Sequence, residues 1–370
     1  MGARDRRQDA PARQPAWRAE LKRGAALLRT GDLEAARDSF ARAHTLAPDE
    51  PEPALALGRE EWKRGRLVEA ERLLRLARDA RPSWPLAAAA LARVLIERGA
   101  GAEARLVLEP AMAAAPNHPA LLIVEGELHV HHELIDAATA SFEAARAAGA
   151  DARAVNAGLA RVENARGIAL SDEGRGSEAA FAFKRACDLD PTWAPARVNL
   201  GALLQRLGKR ASARAHYQQA ITLDPKNGVG HLNLGLLCRA EGDLAGAARA
   251  FAGALRADPP HVAARRELAL TCAERGDYAR AIALFEEELR VTRRPDASVY
   301  ANLGLAYAKN GDTLHAEAAL RQALVVDGRH LRALTNLSAL YAGQGRYLEA
   351  ATLLRRAREL GNSAAPPASK

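Results

Sequence analysis

The stretch "EGELHVHHELID", residues 125–136, gathers three histidines and several carboxylates. On a helix, Glu125, His129, His132 and Glu133 fall at i, i+4, i+7 and i+8, which is one face. Two imidazoles and a carboxylate, His129, His132 and Glu125, are ligand types that suit zinc. The same face could instead hold a half-buried Glu–His pair titrating near neutral pH. A third reading, the favoured one, is a slack and partly solvated copy of a packing unit repeated elsewhere. The period of the chain decides how these residues are to be viewed.

Other chemistry is sparse. The sequence has no P-loop, nucleophile elbow, Cys-x-x-Cys or His-Glu-x-x-His. Its 370 residues are 48% apolar but only 4% aromatic, with a bias to alanine and arginine that favours helix. No apolar run is long enough for a membrane span. The opening "MGARDRRQDAPARQ" lacks the apolar core of a secretory signal. Arg6 stands where a myristoylation signal needs Ser or Thr. Three cysteines, Cys187, Cys238 and Cys272, argue against a disulfide framework and suit a reducing compartment. A cytoplasmic location is therefore expected. The net charge of +8 is spread along the chain among acids, so it reads as composition rather than as a nucleic-acid tract.

The elements that position all these residues repeat. "NLGALLQRLGKRASARAHYQQAITLDP" begins at Asn199 and "NLGLLCRAEGDLAGAARAFAGALRADP" at Asn233, with further copies at Asn302 and Asn336. Extending the 34-residue register gives ten copies, starting at Trp17, Pro51, Pro85, Pro119, Ala160, Ala194, Gly228, Val262, Ala297 and Leu331. Position 20 is alanine in every copy, from Ala36 to Ala350. Position 8 is always small, and position 24 is always large and apolar, as in Phe40, Phe142 and Leu320. Position 15 is glycine in nine copies, where it can end a helix in the left-handed conformation. Proline near position 32 stops a second helix. Small residues at 8 and 20 let two helices approach closely, and the residue at 24 fills the space beside them. One such pair cannot cover its own apolar face, so pairs must stack.

This pattern resembles the tetratricopeptide repeat, over nearly the whole chain from Trp17 to about Asn362. The resemblance implies an all-α, right-handed superhelical solenoid of antiparallel helix pairs. The expected organisation is a disordered tail over 1–14, repeats 1–4 over 15–150, repeats 5–10 over 151–362, and a second disordered tail over 363–370. The phase slips by seven residues before Ala160. Seven residues are two helical turns, so one long helix is predicted from about Asp151 to about Glu173, with either end free to carry the extension. The fourth copy is degraded: Glu125 replaces a packing leucine and Glu133 the turn glycine. No solvating helix is expected after the tenth copy, which leaves self-assembly through that end as one possibility.

By the same resemblance, positions 2, 5, 6, 9, 12 and 13 of each first helix line a concave groove. Position 6 then presents a row of Asn199, Asn233, Glu267, Asn302 and Asn336, with Leu232, Leu236 and Leu305 beside it. Primary amides can both donate to and accept from a peptide backbone. The row is similar to the asparagine ladder in the repeat domain of the O-linked N-acetylglucosamine transferase. Further apolar groove candidates are Leu55, Trp62, Leu86, Ile96, Ile123, Val130 and Val229. The carboxylate clamp of chaperone-binding members is missing, since Val198 and Ala202 precede Asn233 where Lys and Asn are needed. The implied function is a non-catalytic adaptor that binds extended or amphipathic peptide segments of other proteins, without a cofactor. A helical-repeat RNA-binding protein is the alternative, disfavoured by the few aromatic stackers. The repeats leave little room for a catalytic domain, so no enzyme activity is expected.

Overall fold

A computed structural model of the protein describes residues 15–363. Among them lie twenty α-helices and no strand, an all-α helical-repeat solenoid. The two expected tails lie outside the described residues, except Ser363, which closes the last helix. The chain divides into two compact blocks, Met1–Asp190 and Pro191–Lys370.

The first block holds five helix pairs: α1 (Ala16–Thr30) with α2 (Leu33–Leu46), α3 (Pro51–Lys63) with α4 (Leu67–Ala80), α5 (Pro85–Glu97) with α6 (Gly101–Ala114), α7 (Pro119–His131) with α8 (Ile135–Ala147), and α9 (Ala152–Asp172) with α10 (Gly176–Leu189). The second holds α11 (Ala194–Arg206) with α12 (Arg210–Leu223), α13 (Gly228–Ala240) with α14 (Leu244–Ala257), α15 (Val262–Glu274) with α16 (Tyr278–Val291), α17 (Ala297–Lys309) with α18 (Thr313–Val326), and α19 (Leu331–Gly343) with α20 (Tyr347–Ser363). Within each block the second helix of one pair packs on the first helix of the next.

The local chemistry explains the pairs. The glycine at position 15 has φ near +80° in nine repeats, as in Gly31, Gly208 and Gly276. There the chain reverses with the N–H two residues past the helix bonded back to it, as Asp32 N to Leu27 O at 3.1 Å. Asp32, Asp243, Asp277 and Asp312 then cap the second helix of their pairs with a side-chain oxygen. Proline at the first or second helical position of α3, α5, α7 and α11 costs no hydrogen bond there. The alanines at position 20 are all buried, from Ala36 to Ala350.

Where position 8 is glycine, the residue at position 24 of the same pair lies on it. A Cβ added to Gly24 would stand 2.5 Å from Phe40 Cε1, and one added to Gly235 would stand 2.5 Å from Phe251 Cε1. Real side chains do not tolerate such distances, so glycine is what admits a phenyl ring.

The long helix is present as α9, with the Asp151 side chain accepting from Ala154 N at 3.0 Å. In the register of the later repeats, the extra residues are its N-terminal ones. Val155, Leu159 and Val162 bury against Leu122, Ile123 and Phe142, while Gly167 receives Phe183 of its own pair. Residue 150, where the sequence suggested a division, lies inside the first block, where α8 packs on α9. Leu55 and Ile123, grouped with the groove on sequence, are core residues at 6% and 7% exposure.

Candidate interaction groove

The row at position 6 sits on consecutive first helices of the second block: Asn199 on α11, Asn233 on α13, Glu267 on α15, Asn302 on α17 and Asn336 on α19. These helices touch in sequence. All five side chains are half-buried. Asn233, Asn302 and Asn336 find no hydrogen-bond partner among the described residues, so their amides can serve a ligand. Glu267 differs from the free acceptor that the row suggested. Arg239 on α13 donates to it and also lies 3.3 Å from Glu274. One arginine thus neutralises two acids across adjacent pairs. The spacing of 28 and 35 residues was visible in the sequence, but only a groove-facing Arg239 makes it meaningful.

Of the apolar candidates, Leu236 and Leu305 are exposed and Leu232 is half-buried. Leu232 packs partly against the core of its block. Leu305 and Asn336 line one cleft of about 490 Å³ together with Ala308, Lys309 and Ala339. These are groove positions of the last two pairs, so the cleft brings two of the expected residues to one place. Lys309 at its edge is exposed and unpaired among the described residues. Sequence reasoning missed it, because a lysine ending a helix is common on any solvated face.

The histidine cluster resolves differently. Ser141 of α8 stands between the two candidates, its Oγ donating to Glu125 Oε2 at 3.0 Å and lying 3.2 Å from His129 Nδ1. His132 follows α7 and packs edge-on to His131, with both rings close to Gly101. The three proposed ligands are not gathered, and no His, Cys, Asp or Glu group among the described residues is arranged to hold a metal ion. Glu133, in place of the turn glycine, has φ +59°, the one non-glycine residue described there. The local features therefore match a degraded packing unit held together by a serine.

Elsewhere, Trp62, Ile96 and Val130 pack partly on the core of the first block, while Leu86 and Val229 are exposed. The three cysteines form no disulfide and are buried. Burial pushes the Cys238 and Cys272 thiols up, which keeps them protonated and unreactive at neutral pH. No helix of the described residues is long and apolar enough to cross a membrane.

Comparison with known proteins agrees with this architecture. Two family models, each described as Tetratricopeptide repeat, match the chain, one at residues 198–260, 241–298 and 302–365 and the other at 27–94. Together they cover more than half of it, leaving out the stretch with the Glu133 turn and the long helix. No curated protein matches. Among solved structures, the human IFIT1 dimer with PPP-AAAA is similar at 18% identity and a TM-score of 0.54, over 84% of this chain and 72% of that one. YrrB, described as a TPR protein with an unusual peptide-binding site, is 20% identical over 50% of this chain and 95% of its own, at a TM-score of 0.45. MamA from Desulfovibrio magneticus RS-1 is 20% identical over 47% and 97%, at 0.44.

Proposed function

Because this chain belongs to the tetratricopeptide repeat family, we propose that it is a non-catalytic scaffold that binds extended segments of other proteins along the second block. The observation that carries this is the row of half-buried amides at Asn233, Asn302 and Asn336 with no partner among the described residues. First helices of neighbouring pairs pack about 8–10 Å apart. An extended peptide rises about 3.3 Å per residue, so Asn302 and Asn336 meet its backbone about three residues apart and Asn233, two first helices back, about six residues from Asn302. The cleft of Leu305, Lys309 and Asn336 offers a side-chain pocket at one end of that path. The groove positions of α11, α13, α15, α17 and α19 carry no aromatic residue. Peptide is therefore favoured over single-stranded nucleic acid, which needs stacking platforms. The likeness to the human structure is one of fold. Buried cysteines that form no disulfide suit the reducing cytoplasm, which is part of the same reading.

A random-peptide phage selection on the full chain tests it. Each amide contributes about 1 kcal/mol, so the N233A/N302A/N336A triple variant should bind the selected peptides about a hundredfold more weakly. Its circular dichroism should be unchanged. Equal binding by the triple variant would remove the amide row from the site.

A further inference from the structure

The first block carries a cleft of its own, of about 360 Å³, on the groove side of α1 and α3. Its walls are Leu21 and Leu28 of α1, Leu55 of α3 and Trp84 just ahead of α5. That volume is within the range of pockets that hold a small ligand or a peptide side chain.

The charges around it are unevenly engaged. Glu52 is bound by Arg81 at 2.8 Å, and the Arg81 guanidinium also stacks over Trp84 at 5.5 Å. Glu60 is bound by Lys63 at 2.7 Å. Each acid of the lining thus has a cation beside it, although Glu52 keeps one buried oxygen, Oε2, without a hydrogen-bond partner. Arg59 is exposed and has no ion pair or hydrogen bond among the described residues. The free charge at this apolar cleft is positive.

Spacing refines the fit. Leu55 and Arg59 are four residues apart on α3, about 6 Å along the helix. In an extended peptide, residues i and i+2 point to the same side and stand about 6.6 Å apart. We propose that this cleft binds a linear segment of a partner protein in which a bulky apolar residue and an aspartate or glutamate stand two positions apart. The apolar side chain enters between Leu21, Leu28, Leu55 and Trp84, and the carboxylate meets Arg59. The proposal rests on the protein-binding reading but concerns a separate site with different chemistry.

The test uses the full chain and an array of capped heptapeptides built from Ser and Gly. Position three is Leu, Phe or Ala, and position five is Asp, Asn or Lys. Leu or Phe with Asp should give the strongest binding. Replacing Asp by Asn should weaken it about threefold, as for an exposed ion pair. R59E should invert the preference, so that Lys peptides bind better than Asp peptides. Ala25 is an exposed residue of the lining, so A25R should fill the cleft and abolish binding without unfolding the chain. The N233A/N302A/N336A variant should bind these peptides as wild type does, which separates this site from the amide row. Three results would overturn the proposal: no excess of Leu or Phe with Asp over Ala or Lys peptides, unaltered preference in R59E, or loss of binding in the triple asparagine variant.

Discussion

The phenyl ring of Phe142 lies against the backbone of Gly158, so close that a Cβ built there would stand 2.2 Å from its Cε1. The same ring also meets Gly126, where a Cβ would stand 2.8 Å from Cζ. One aromatic ring therefore joins α7 and α8 to the N-terminal extension of α9. Gly158→Ala should force the ring or the helix to shift. The expected loss is about 1–3 kcal/mol, as for other overpacked cores, in spite of the better helix propensity of alanine. Urea denaturation followed by circular dichroism would measure it. An unchanged midpoint would show that the extension is not held by this contact.

Glu133 gives a prediction of opposite sign. Its φ of +59° is unfavourable for a residue with a Cβ, and its side chain is exposed. Glu133→Gly should stabilise the first block by about 1 kcal/mol. Hydrogen exchange of the α7 and α8 amides would locate the gain.

Ser141→Ala tests the serine that separates Glu125 from His129. Its removal leaves two half-buried polar groups without their partner, which should cost about 1 kcal/mol. Zinc should not raise the melting temperature of the wild-type chain, because His132 is turned toward Gly101. A zinc-dependent rise that vanishes in H129A would restore the metal reading.

The last two pairs are joined by Glu317. Tyr341 donates to it at 2.9 Å, Arg346 at 3.0 Å, and Arg321 lies 2.8 Å away. Burial pushes this carboxyl up, but the Tyr341 and Arg346 hydrogen bonds and the arginine charges outweigh it, so its pKa lies below the ordinary 4.5. A depressed folded-state pKa means stability that is complete above the unfolded value and is lost as pH falls through the folded one. Glu317→Gln should therefore cost about 1 kcal/mol at neutral pH, as for a partly exposed ion-pair network. The difference from wild type should shrink below about pH 4.5 and vanish at lower pH. Thermal melts of both proteins across pH 3–7 would show whether the gap closes.

Much of this molecule could be read from its sequence, because the physics of the pair is local. The 8–24 contact, the position 15 turn and the helix boundaries each depend on residues within one repeat. That is why α9, expected from about Asp151 to Glu173, is found at Ala152–Asp172. What escaped reading was contact between repeats. Glu267 looked like a free rung until Arg239 from the preceding pair was placed on it. Ile123 occupies a groove-facing position by count, yet neighbouring helices cover it. The cleft at Arg59 was missed for the same reason: Trp84 belongs to the linker before α5, and only the fold brings it beside α1 and α3.

The ring-on-glycine contact of five of the pairs, such as Phe251 on Gly235, spans only sixteen residues of sequence. Loops that short close quickly, and chains rich in them fold fast. A nascent chain of this protein can therefore settle one hairpin at a time as it leaves the ribosome, each finished hairpin offering a template to its successor.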